Sequence, residues 1–99
     1  MSTKDARAQA ITQEVLNAID SIDLGWQRIM AARQSSIAAA RTLTAEQQQF
    51  DVGARTSTDV LDASTRLADA QRSEINAIAL YQIALIDLSF ATGTLLGSV

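Results

Sequence analysis

Phe50-Asp51-Val52-Gly53-Ala54-Arg55-Thr56-Ser57-Thr58-Asp59-Val60-Leu61-Asp62-Ala63 is the stretch on which the fold turns. It is the only place in the chain where a strong helix stop meets a strong helix start. Gly53 can take the left-handed conformation that ends a helix, because it has no Cβ to clash. Thr56 followed three residues later by Asp59 reads as a capping box, with Asp in the place where Glu is commoner. On both sides the sequence is helical for tens of residues. The stretch therefore predicts one helix over about residues 3–52, a turn over 53–56 and a second helix over about 57–92.

Working outward, composition supports an all-α chain. There is no proline among the 99 residues, and glycine occurs only at 25, 53, 93 and 97. So few breakers exclude a turn-rich fold. Aromatics are limited to Trp26, Phe50, Tyr81 and Phe90, and alanine supplies much of the apolar content. Small side chains bury little area each, so a globular core would be thin. Long helices packed along a seam suit this composition better. A net charge of −3 disfavours nucleic-acid binding, which needs a basic surface. Cysteine is absent and leaves the redox compartment open.

Heptad rows run through both segments. In the first, one row reads Ala8, Val15, Ile22, Ile29, Ser36, Leu43, Phe50, and its companion reads Ile11, Ala18, Gly25, Ala32, Ala39, Glu46. In the second, the rows are Val60, Leu67, Glu74, Tyr81, Leu88, Leu95 and Ala63, Ala70, Ala77, Ala84, Ala91. Sustained patterning of this kind argues for a long antiparallel coiled-coil hairpin, with large knobs over alanine holes. An ordinary helical-hairpin core fits the pattern equally well. The predicted first helix would be about 70 Å long at 1.5 Å per residue. Gly25 interrupts it and is expected to allow a bend or a close crossing, with Trp26 as a packing residue.

A second apolar set lies off those rows. It comprises Leu16, Ile19, Met30 and Ile37, then Leu61, Ala68, Ile75, Ile78 and Leu85. A two-helix hairpin buries one stripe per helix, so this surplus points to further helix partners, and the isolated chain is expected to self-associate as a dimer. The alternative is the wide apolar face common on surface helices. The most apolar run, Ile75 to Ala91, is broken by Asn76, Gln82 and Asp87 and reads as a buried helix rather than a membrane span.

Catalytic chemistry is not indicated. Without His or Cys the common metal ligands and nucleophile–base pairs are missing. Asp59, Asp62 and Asp69 follow the turn, where capping and solvation account for them. Ser35, Ser36 and Ser57 have no base nearby in sequence, and no glycine-rich phosphate loop exists. The chain reads as a non-enzyme, with no cofactor.

The wording of the turn, Val-Gly-x-Arg-Thr-x-x-Asp-Val-Leu-Asp-Ala, resembles the TolC family of outer-membrane efflux ducts. The similarity is strongest over about Gln47 to Leu95, including Val60-Leu61-Asp62-Ala63-Ser64-Thr65 and Ala91-Thr92-Gly93-Thr94-Leu95. That family builds trimeric ducts from an outer-membrane β-barrel and a periplasmic tunnel of helical hairpins. The resemblance implies the second repeat's hairpin, with no barrel strand. It also implies that the turn is the periplasmic tip of an efflux or type I secretion channel, docking a membrane-fusion adaptor. The matching positions are Val52, Gly53, Arg55 and Thr56, with Asp59 capping the next helix. In the family the arginine at Arg55 joins a charged network that closes the entrance, often with an aromatic hydroxyl three residues before the glycine. Phe50 stands there and has no hydroxyl, so the network must differ. On the residues alone, Arg55 reads as a cation near a helix C-terminus.

Met1 to Asp5 is polar and no apolar stretch follows, so no signal peptide is expected in this chain. Family members reach the outer membrane with one. The chain is therefore expected to be a soluble excised segment of the periplasmic part. Two rival readings remain open. Secreted helical-hairpin effectors carry Trp-x-Gly in their turn, whereas here Gly25-Trp26 is reversed and distant from the turn. A structural dimerisation module explains the periodicity but not the wording of the turn.

Overall fold

The computed structural model describes residues 2–97, apart from the side chains of residues 94–96. Among the described residues the chain is all α-helix and turn. Helix α1 spans Thr3–Asp51 and helix α2 spans Ser57–Gly97. No reversal occurs at Gly25, which lies inside α1. At the start of α1 the Ser2 hydroxyl accepts a hydrogen bond from the Asp5 N–H at 3.2 Å, satisfying one of the free amides of the first turn.

The chain packs as two units, Met1–Gln27 with Ile78–Val99, and Arg28–Ala77. In the first, Ile11 and Gly25 are buried, and Val15, Ala18 and Ile22 are half-buried on the same stripe of α1. On α2 the half-buried residues are Tyr81, Ala84, Leu88 and Ala91. At Gly25 the two helices pack tightly against each other. A Cβ built there would lie 3.3 Å from Cδ2 of Tyr81 and 3.8 Å from its Cα. Glycine is tolerated mid-helix because the aromatic ring occupies the space a side chain would need. Trp26 stacks beside it, its ring centroid 6.1 Å from that of Tyr81 and tilted by 53°. Trp26 is a packing residue with half its surface exposed.

The second unit is the hairpin around the turn. Its α1 stripe is Ile29, Ala32, Ser36, Ala39, Leu43 and Glu46, all half-buried. Facing it on α2, Ala63 and Ala77 are buried, and Val60, Leu67, Ala70 and Glu74 are half-buried. The ion pairs Arg33–Glu74 at 3.7 Å and Glu46–Arg55 at 3.2 Å fix this pairing as antiparallel. Burial thus follows the heptad rows closely. Ala8 and Phe50, the outermost members of their row, are exposed. Leu95 lies outside the described side chains.

The run Ile75–Ala91 departs from its expected burial. Leu80, Ile83 and Ile86 are 47%, 53% and 54% exposed. One partner helix covers only two of every seven positions, and the apolar residues here exceed that number. By length and composition α2 contains a window apolar enough to cross a membrane, at mean hydropathy 1.4, and only 6% of that window is buried. The off-row set on both helices is likewise exposed, from Leu85 at 40% to Ile75 at 68%.

Candidate functional site

The turn is built from two caps placed back to back. Gly53 has φ +80°, the only positive φ among the described residues. Its N–H donates to the Phe50 carbonyl at 3.0 Å, and the Ala54 N–H donates to the Gln49 carbonyl at 2.7 Å. This pair of bonds is a Schellman closure, which satisfies two orphan carbonyls at the end of α1. Three residues after Gly53, the Thr56 hydroxyl accepts from the Asp59 N–H at 3.2 Å. The Asp59 carboxylate accepts in return from the Thr56 N–H at 3.0 Å and from the Thr56 hydroxyl at 3.0 Å. The capping box read from the sequence is therefore formed, pairing the Thr56 and Asp59 amides at the start of α2.

These bonds also set the electrostatics. The Thr56 N–H and then its hydroxyl hold the Asp59 carboxyl below its ordinary value of 3.8 against an opposing desolvation, and the Arg55 charge adds a smaller lowering. A carboxyl depressed in the folded state contributes stability above its unfolded pKa and loses it as pH falls through the folded value. Thermal melts should therefore show a stability loss below about pH 4 that Asp59→Asn abolishes. Thr56→Ala should lower stability by about 1 kcal/mol at neutral pH, the usual cost of an N-cap, as measured by urea unfolding.

Around this frame the candidate residues divide by exposure. Val52 is 79% exposed, next to exposed Gly53 and Ala54. Arg55 has 48% of its side chain exposed, and its Nε lies 3.2 Å from Oε2 of Glu46. Thr56 is exposed and Asp59 half-buried, both occupied in the cap. A polar recess of about 140 Å³ lies on one side of the turn, between Thr42, Glu46, Arg55, Asp59, Asp62 and Arg66. Asp69 is turned away and pairs with Arg72 at 3.8 Å. Among the described residues no three acidic groups cluster closely enough to hold a metal ion.

Glu46 was not among the residues singled out as functional. Its signal was present in the sequence, as the one charged member of an otherwise apolar and small row. Trp26 lies within α1 and not in the turn that holds Gly53, so the turn carries no Trp-x-Gly arrangement.

A family model described as "Outer membrane efflux protein" matches residues 2–94. The chain is 34% identical over 87 residues to "Outer membrane protein TolC" of Salmonella enteritidis, covering 88% of this chain and 18% of that protein. Against the protein of the same description from Vibrio cholerae, identity is 35% over 91 residues, covering 92% of this chain and 21% of the relative. For that of Escherichia coli it is 33% over 87 residues, covering 88% and 18%. The chain thus spans about a fifth of the length of these curated relatives. No solved structure matches it significantly.

Proposed function

Since the chain belongs to the outer membrane efflux protein family, a family of transport channels rather than enzymes, we propose that it forms tunnel wall and that its turn is the periplasmic docking tip of a tripartite efflux or type I secretion duct. The parent would be a homotrimer in the outer membrane, and the partner at the turn a membrane-fusion adaptor. The observation that carries this reading is the turn itself. Gly53 at φ +80° and the Thr56–Asp59 box lock its backbone from both sides. Val52, Gly53 and Ala54 face outward as a small, rigid apolar surface, with Arg55 beside them. A preorganised surface loses little entropy on docking. The apolar residues left exposed on both helices fit a wall element whose other faces meet neighbouring helices.

Arg55→Glu in the full-length duct tests the assignment. Docking predicts reduced efflux and reduced cross-linking between the turn and the adaptor, with trimer formation unchanged. If Arg55 served only the helix terminus and its partly exposed ion pair, the substitution would cost about 1 kcal/mol or less and leave transport intact. Wild-type efflux with normal cross-linking at equal membrane abundance would eliminate docking through Arg55.

A further inference from the structure

Glu46 occupies a position where the rest of its row places Ile11, Ala18, Gly25, Ala32 and Ala39. The carboxylate therefore enters the helix seam, only 24% of its side chain is exposed, and its Oε2 is buried without accepting a hydrogen bond. A desolvated carboxylate oxygen needs a counter-charge. That charge comes from Arg55, whose Nε stands 3.2 Å from the same atom, as an ion pair rather than an aligned hydrogen bond. Arg66 lines the same recess, yet the pair forms with Arg55.

We propose that Glu46 is a positioning residue for Arg55. It draws the guanidinium back from the turn onto the helix seam and competes for it with any acidic group of a partner. In the free chain the turn then presents Val52, Gly53 and Ala54 in front, with the cation held behind them. A partner carboxylate gains Arg55 only by displacing Glu46. The competition, but not the positioning, rests on the docking reading.

The test follows the reaction of each arginine with phenylglyoxal by peptide mass spectrometry in the 99-residue chain. Arg72, 81% exposed, is the internal reference. In the unmodified sequence Arg55 should react more slowly than Arg72. Glu46→Gln should raise the Arg55 rate about two- to fivefold, the range expected for losing a partly exposed ion pair, and leave Arg72 unchanged. The swap Glu46→Arg with Arg55→Glu should recover the melting temperature lost in either single variant. An unchanged Arg55 rate with helicity intact overturns the proposal. Glu46→Asp, which keeps the charge but shortens the arm, covers a Glu46→Gln chain that fails to fold. A faster Arg55 there supports the positioning, and no change overturns it. In the full-length duct, Glu46→Gln should also strengthen adaptor capture by a similar factor. A freed Arg55 without stronger capture keeps the positioning and overturns the competition, while reduced capture by Arg55→Glu decides the docking reading itself.

Discussion

Gly53→Val should weaken the turn more than any other single substitution within it. Gly53 sits at φ +80°, where a β-branched side chain is strongly disfavoured. An added Cβ would meet nothing within 4 Å, so the cost lies in the backbone and cannot be relieved by moving a neighbour. Escaping to negative φ would break the bonds from Gly53 to Phe50 and from Ala54 to Gln49. We expect about 2–3 kcal/mol of destabilisation for Val, about 1 kcal/mol for Ala and less for Asn, which tolerates this region. Urea unfolding of the chain measures the series. If the turn docks an adaptor as proposed, Gly53→Val in the full-length protein should reduce that coupling about tenfold or more, the equivalent of 1.4 kcal/mol of lost docking energy. A Val variant as stable as the unmodified chain would show that the left-handed conformation is dispensable.

The isolated chain should self-associate, most simply as a two-fold dimer forming a four-helix bundle. It exposes 7248 Å². A globular chain of 10.6 kDa exposes about 5,500 Å², so roughly 1,800 Å² more is in water here. A standard interface covers about 800 Å² per partner, which this surplus exceeds. The exposed residues are suited to such burial, with Leu61 at 65% and Ile75 at 68%. Sedimentation equilibrium should give an average mass that rises above 10.6 kDa with concentration. Leu61→Glu with Ile75→Glu should return it to the monomer value. A concentration-independent monomer from the unmodified chain would contradict this assignment of the apolar faces.

The seam was legible in the sequence because burial here depends on one variable, the heptad position. Val15, Ile22, Leu67 and Leu88 are covered because they recur at seven, and nothing competes with that period. The turn was legible for a related reason. Gly53, Thr56 and Asp59 act through backbone groups within three residues of themselves. Two features were not. The exposure of Leu80, Ile83 and Ile86 depends on how many helices surround α2, which a single chain's pattern does not encode. The Glu46–Arg55 contact joins residues across the turn, and local spacing rules do not reach that far. Ser2 capping Asp5 is a local motif that could have been read, hidden only by its position at the chain's edge.

The contact of Tyr81 with Gly25 has a further consequence, for alignment. Every other member of the Gly25 row carries a Cβ: Ile11, Ala18, Ala32, Ala39 and Glu46. Sliding one helix along the other by a heptad, about 10 Å, would bring apolar residues back opposite apolar residues and cost little in hydrophobic burial. It would also move the Tyr81 ring off the one notch that admits it, since a Cβ at Gly25 would already stand 3.3 Å from that ring. The alanine rows alone oppose such a slip weakly, and the closed turn at Gly53 and the Arg33–Glu74 pair resist it as well. A single missing side chain, paired with a single large ring, gives the zipper one tooth that fits best in one alignment.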